Sequence, residues 1–322
     1  MKEVTVVIPN YNGKKFLKDC IESLYSKNSI DFDLIIVDNC STDSDYKFLN
    51  EYKDLKFEKL DKNYGFAYAV NVGIKKSNTK YVVLLNNDTV VFENYLSELL
   101  NLIKSDDKIF AAQIMMIKMV NKDKLDNAGD YYNLLGWGFK GFDGKSIELR
   151  NVNRDRRIFS CCGASVIYRK DVFEEIGYFD EEFFAYLEDI DVSYRAMIHG
   201  YKNMYCHKSK IYHFASGTTG SKYNDFKVKI SARNNIFLIY KNMPLIQILI
   251  NFPFLFLGFI VKYLFFVKKG FGKVYASGIK EGFKNLNRIE KTKFKAKNLF
   301  NYIKIEILLV KNLFLYVGYE LF

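Results

Sequence analysis

The chain has 322 residues, with 48 lysines and arginines against 37 acidic residues, a formal net charge of +11, and 49% hydrophobic content. That balance excludes a disordered chain and leaves room for one catalytic domain of roughly 200–250 residues plus an extension. Five cysteines, Cys20, Cys40, Cys161, Cys162 and Cys206, contain no Cys-x-x-Cys pair, which argues against a disulfide framework or thiolate zinc site and for a reducing compartment.

The opening MKEVTVVIPNYN lacks the long apolar run of a secretory signal, so none is expected. The β-branched run at 4–8 predicts a buried strand. Phe16, Leu17, Cys20, Ile21 and Leu24 then recur at helical spacing. Further strands are expected over 34–37, 55–60 and 81–85, and helices over 66–76 and 95–104. This alternation predicts an α/β fold, a mostly parallel sheet covered on both faces. The stretch 109–158 is less regular, and its part 126–144, DNAGDYYNLLGWGFKGFDG, is rich in Gly, Asn and aromatics. A helix from about Asp171, an acidic stretch over 186–195 and a strand over 210–212 follow; after Arg233 the chain turns apolar and basic.

Ligands of such a sheet bind beyond the carboxyl ends of its strands. Those ends carry Pro9-Asn10-Tyr11-Asn12-Gly13, Asp38-Asn39 and Asn86-Asn87-Asp88. No Walker loop or G-x-G-x-x-G fingerprint occurs, so carboxylates take the place of a glycine cradle. Asp88, closing LLNND after a strand, suits a divalent cation that neutralises a diphosphate leaving group; by itself it reads equally well as a cap of the following turn. Asp38 reads as an acceptor for base or ribose hydroxyls, or as a turn residue. Glu188 and Asp189 head a helical pattern and supply a general base, with Asp191 a competitor on the same segment. His213, one of three histidines, is more often structural than a ligand when judged alone. Trp137 either shapes an acceptor sugar site or simply packs.

Together the motifs VVIPNYNG, IIVDNCSTD, NYGFAYAVNVGI, YVVLLNNDT, CCGASVIYRKDVFEEIGYFDEEFFAYLEDIDVSYRAMIHGY and IYHFASGTTG resemble the inverting family two glycosyltransferases of GT-A fold, in particular bacterial rhamnosyltransferase-like and galactofuranosyltransferase-like members. The resemblance runs from Val4 to about Lys241. It implies that Pro9, Tyr11 and Asp38 line the nucleoside pocket and that Asn63, Gly65, Phe66 and Asn71 close over it. Asn86, Asn87 and Asp88 match the DxD-type motif, with Asn86 in place of its first acid. Asp88 and His213 match metal ligands for Mn²⁺ or Mg²⁺, and Asp189 the catalytic base beside Glu188. Arg233 and Asn234 match a recurring Arg-Asn pair. The implied activity is transfer of a sugar from a dTDP- or UDP-linked donor to a glycan or lipid-linked glycan acceptor hydroxyl. The alternative is an inactive nucleotide-sugar-binding scaffold, with the NND motif marking lost catalysis.

The expected division is a catalytic domain over 1–241 and a helical extension over 242–322. Residues 245–267 are apolar and long enough to span a bilayer, though Gln247, Asn251, Pro253 and Lys262 weigh against it. Lys268, Lys269, Lys273, Lys280, Lys284 and later lysines, opposed only by Glu281, Glu290 and Glu306, fit an anionic membrane surface on the cytoplasmic side. A spanning helix, a homo-oligomer contact and ordinary core are the alternatives. Nucleic acid is not the expected partner, since no recognised motif accompanies the basic residues.

Overall fold

The computed structural model describes residues 2–43, 46–52, 54–214 and 223–321. The 215–220 part of the IYHFASGTTG motif lies outside them. The first half of the fold consists of β1 (Val4–Asn10), α1 (Lys14–Lys27), β2 (Asp33–Asp38), β3 (Leu55–Lys59), α2 (Phe66–Lys76), β4 (Tyr81–Leu85), β5 (Thr89–Val91), α3 (Tyr95–Lys104) and β6 (Ile109–Lys118). Then come β7 (Leu125–Asn127), the hairpin strands β8 (Asp130–Tyr132) and β9 (Gly138–Lys140), β10 (Arg156–Ile158) and β11 (Ser165–Arg169). α4 (Val172–Ile176), α5 (Glu188–Ile198) and β12 (Lys202–His213) follow, and the chain ends in α6 (Asp225–Asn242), α7 (Leu245–Lys268), α8 (Gly272–Lys284) and α9 (Leu299–Leu321).

The central sheet has the order β10-β12-β6-β11-β4-β1-β2-β3, with β5 on β12 and β7 on β6. β3, β2, β1 and β4 are parallel, as the strand–helix alternation predicts. β11 runs antiparallel to both β4 and β6, so the whole sheet is mixed rather than mostly parallel. The cause is local: 119–164 holds only short strands and one 3₁₀ turn, and a parallel return needs a crossover helix.

Successive residues of β1 point to opposite faces. Val4, Val6 and Ile8 join Leu17, Ile21 and Leu24 of α1, whereas Val7 joins Ala67, Val70 and Ile74 of α2. The period-2 strand and the helical stripes thus meet on both faces. Each such buried aliphatic contributes about 1.5–3 kcal/mol. The last helices return to this body: α6 packs on α5 and α8, and α9 packs on α5 and β8.

Candidate active site

Three strand ends are wired together by one asparagine. Asn10 Nδ2 donates to Asp38 Oδ1 at 2.8 Å, and Asn87 Nδ2 donates to Asn10 Oδ1 at 2.6 Å. Asp38 is fully buried, and it also accepts from Ser41 N, Ser41 Oγ and Tyr46 Oη. Its carboxylate therefore braces the loop after β2. The exposed side chain at this end is Tyr11, with Pro9 half-buried beside it. Gly13 is required by close approach: a Cβ there would lie 1.9 Å from Asn87 Nδ2.

Asn39 ties the next segment to this edge, donating to Asn63 Oδ1 (2.9 Å) and Gly65 O (3.1 Å). Gly65 has φ +88°, and a Cβ would meet Phe184 O at 2.5 Å, so the turn into α2 tolerates no side chain. Asn63 is exposed and Phe66 half-buried, its ring against Gly163. Asn71 faces inward: its carboxamide bonds Phe179 N, Phe179 O and Glu181 Oε1.

β4 is followed by Asn86, Asn87 and Asp88. Asp88 Oδ1 is buried and has no hydrogen-bond partner among the described residues. His213, at the end of β12, places Nε2 at 3.4 Å from that oxygen. Its Nδ1 is 2.8 Å from Asp126 Oδ2, and Lys140 Nζ holds the other Asp126 oxygen at 3.0 Å. With Nδ1–H donating to Asp126, His213 turns Nε2 toward Asp88, and on losing an Nε2 proton it would have the outer-shell arrangement that orients a ligating imidazole. Burial lowers the His213 pKa, but Asp126 and Asp88 outweigh it and raise it to about 9. Burial opposes the charge of Asp126, yet His213 and Lys140 hold its carboxyl well below the usual range. An unpartnered carboxylate oxygen beside a preset imidazole fits a divalent cation that takes its remaining ligands from water and phosphate oxygens.

A second acidic centre lies at the start of α5. One oxygen each of Asp189 and Asp130 and the Cys162 Sγ lie within 4.8 Å of one another. Asp189 accepts from Ile190 N (2.8 Å) and Gly163 N (3.3 Å), and Asp130 from Asn127 Nδ2 (2.7 Å). Burial and then the Asp189 charge push the Asp130 carboxyl up to about 7. Burial raises Asp189 as well, against the pull of its N–H donors. Glu188, buried with Oε2 unpartnered among the described residues, is raised well above its ordinary value by burial and then by Asp189. Asp191 is set apart from these. Burial works against its charge, but Arg195 at 2.8 Å and Lys241 at 3.5 Å keep it ionised, and Asn242 bonds it too. That network engages both carboxylate oxygens of Asp191.

The loop before α5 is under tension. Phe184, Tyr186 and Leu187 hold φ of 62°, 68° and 69°. Asn234 of α6 donates its amide to the carbonyls of Phe183, Ala185 and Tyr186 at 2.8, 2.8 and 2.7 Å. Arg233 beside it bonds the Glu182 and Phe183 carbonyls and lies 3.4 Å from Glu281. Both residues thus grip the polypeptide before Glu188. Trp137 packs: its indole N–H donates to Gly258 O at 3.1 Å and its ring meets Tyr316 edge-on at 5.4 Å.

The sequence pattern singled out Asp88, Glu188, Asp189 and His213, and Asn10 among the polar strand ends, but gave no role to Asp126 or Asp130. The signal available was DNAGD itself, two acids flanking a glycine of φ +111° in an otherwise apolar stretch.

A sheet of this order, its acids gathered at strand ends and helices on both faces, is the GT-A architecture. The description "Glycosyl transferase family 2" matches residues 5–177, and the chain belongs to that family. A teichoic acid poly(glycerol phosphate) polymerase of Staphylococcus epidermidis is 33% identical over 93 residues, which are 27% of this chain and 13% of that protein. The low-salt glycan biosynthesis hexosyltransferase Agl10 of Haloferax volcanii is 25% identical over 249 residues, 74% of this chain and 77% of that one. Among solved structures, GalNAc-T7 with UDP, GalNAc and Mn²⁺ superposes with a TM-score of 0.60 at 16% identity, over 74% of this chain and 48% of that one. S. aureus TarS 1–349 with UDP-GlcNAc gives 0.52 at 18%, over 75% and 68%. These likenesses show the fold.

Proposed function

We propose that the chain is an inverting, cation-dependent hexosyltransferase that moves a sugar from a dTDP- or UDP-linked donor to an acceptor hydroxyl in cell-surface glycan assembly. The observation that carries this reading is the joining of the two acidic centres at one strand end. Asn86 N donates to Ala164 O at 2.8 Å, and the neighbouring Gly163 N supports Asp189. Asp88 follows Asn86 by two residues, so the cation-binding acid and the base share one edge.

In this arrangement Asp189 accepts the acceptor O–H proton as that oxygen attacks the anomeric carbon. The bond from that carbon to the phosphate oxygen breaks, the nucleoside diphosphate leaves with the electron pair, and configuration inverts. The raised pKa makes Asp189 a better proton acceptor than an exposed aspartate. Asp88 and His213 would hold Mn²⁺ or Mg²⁺, which when bound neutralises the charge on the diphosphate. Tyr11, Asn63, Pro9 and Phe66 are the side chains that would meet base and ribose, while Asp38, Asn71, Asn87 and Gly65 shape the walls. Arg233 contributes by holding the loop before Glu188. A metal-ligand role for His213 would align the chain with the galactofuranosyl-type members. Support for the substrate class comes from the relatives named for teichoic acid and glycan biosynthesis and from UDP, UDP-GlcNAc and Mn²⁺ in the solved neighbours.

The test is thermal stabilisation by a panel of sugar nucleotides, with and without Mn²⁺, on the wild type and Asp88→Asn. A ligand that binds only the folded state raises Tm with occupancy. Stabilisation by one donor that requires the cation and is lost in Asp88→Asn is expected. Product from that donor should carry inverted anomeric configuration by NMR. Absence of stabilisation by every nucleotide, or retained configuration, would overturn the reading.

A further inference from the structure

α7 and α9 each bury one stripe and expose the opposite one. On α7 the buried residues are Gln247, Asn251, Leu255 and Gly258, stacked along one face. Gln247 and Asn251 both donate to Glu306 Oε2 of α9, at 2.7 and 2.9 Å. A Cβ at Gly258 would lie 2.0 Å from Leu135 O, so this face is pressed onto the body of the protein. The other side of α7 presents Leu249, Phe252, Phe256 and Leu264 to the outside. α9 buries Tyr302, Ile305, Leu309 and Asn312, and exposes Phe300 (75%), Ile303, Ile307 and Phe314 (71%). A soluble monomer rarely leaves so broad an apolar face in water.

We propose that α7 and α9 lie in the plane of an anionic bilayer surface, and that the β8–β9 hairpin carries this contact to the acidic centre. Among the described residues, α7 alone is long and apolar enough to cross a membrane. Crossing would pull Gln247 and Asn251 away from Glu306 and leave their amides in hydrocarbon, where nothing replaces those bonds. Lying flat keeps them paired and buries the exposed stripes. The charge selects the occupant: Lys304 and Lys311 are exposed within the apolar stripe of α9, and Lys268, Lys269 and Lys273 are exposed at the end of α7 and the start of α8. Two copies meeting through such faces would bring like charges together, whereas anionic headgroups complement them.

The hairpin joins this surface to the chemistry. Its tip is held by both helices: Trp137 Nε1 donates to Gly258 O at 3.1 Å, Leu134 N to Leu309 O at 3.1 Å, and Asn312 Nδ2 to Tyr132 O at 2.9 Å. Its open end carries Asp130 beside Asp189, and Lys140 on Asp126. A shift of α7 and α9 on docking therefore reaches both acidic centres through one short two-stranded element. What those centres do rests on the reading above; docking itself is measured without any sugar nucleotide.

The full chain is sedimented with vesicles of phosphatidylcholine alone and of phosphatidylcholine with phosphatidylglycerol. Phe252→Ser/Phe256→Ser is run beside it, with Phe300→Ser/Phe314→Ser as a second variant should the first fail to fold. The wild type is expected to pellet with phosphatidylglycerol vesicles and to be released by an alkaline wash. Either variant is expected to bind roughly tenfold less. Amide exchange over 129–141 should slow on vesicle binding. The proposal is overturned by protein left in the supernatant, by resistance to alkaline extraction, or by unchanged exchange over 129–141. A lipid-free dimer abolished by the same substitutions, with no vesicle binding, would assign the face to a second copy instead.

Discussion

Asn234→Ala tests how the proposed base is held. The Asn234 amide has two hydrogens and serves the Phe183, Ala185 and Tyr186 carbonyls. Two hydrogen bonds contribute about 1 kcal/mol net each, or about 2–6 kcal/mol together if the carbonyls stay buried and unpaired. Against this stand three non-glycine residues at positive φ, Phe184, Tyr186 and Leu187. Each stores about 1–3 kcal/mol, so roughly 3–9 kcal/mol in all. Clamp and strain are of similar size, and removing the amide lets the loop relax. The released strain then offsets the lost bonds, so global stability should fall by less than about 2 kcal/mol. Arg233 still holds the Glu182 and Phe183 carbonyls, so only the end next to Glu188 and Asp189 moves. A displacement of about 1 Å at a catalytic group costs about 10²-fold in rate. Urea denaturation gives the first quantity, and steady-state transfer, with the donor KM measured separately, gives the second. The expected result is kcat lower by about 100-fold with donor KM within a few fold. A stability loss above about 4 kcal/mol with normal kcat would show that the loop keeps its shape without the amide, and the reasoning would fail.

Asp189→Asn should lower transfer by about 10²–10⁴-fold while leaving Mn²⁺-dependent donor binding intact; a rate within a few fold of wild type in a coupled diphosphate-release assay would remove Asp189 as the base. Asp126→Asn should weaken Mn²⁺ affinity by about 10–100-fold in calorimetry, because His213 loses the carboxylate that orients it; unchanged affinity would place the cation elsewhere. The Asp130 carboxyl, raised from 3.8 to about 7, keeps in the fold a proton that the unfolded chain has already released. Stability should therefore fall as pH rises through that window, and Asp130→Asn should flatten the slope and raise Tm at pH about 8. An unchanged slope by calorimetric scans would mean that Asp130 is ionised throughout.

The strands over 4–8, 34–37 and 81–85 were legible as short apolar runs buried on both faces, and the helices over 66–76 and 95–104 because their apolar residues follow one period. β1 alternates between the two cores, and α1 turns Leu17, Ile21 and Leu24 to one of them. The antiparallel entry of β11 was not legible. Strand sense is decided by how the chain returns, and 119–164 has no period to reveal its path. Asp38 shows a second limit. A carboxylate at a strand end reads the same whether it meets a ligand or braces a loop, and only the four donors around it make it a brace here.

Asp126 and Asp130 escaped notice for a related reason: neither lies at a strand end of the parallel half. Asp126 is in β7, which pairs with β6, and Asp130 opens a separate hairpin. Their roles come from partners far along the chain, His213 for one and Asp189 for the other. Spacing within DNAGD therefore carries no hint of which acid serves which centre. Asn127 between them donates to Asp130 and accepts from Gln113, whose own carbonyl takes the N–H of Cys162. Both ends of this buried amide chain, Asp130 and Cys162, lie at the Asp189 centre, and Asn127 follows Asp126 of the other centre in sequence. The two acids differ in proton affinity: Asp126 is held ionised by His213 and Lys140, and Asp130 is pushed up by burial and Asp189. In the proposed transferase, the Asp126 anion would orient His213 beside the cation, and Asp130 would stand as the more basic acid beside Asp189.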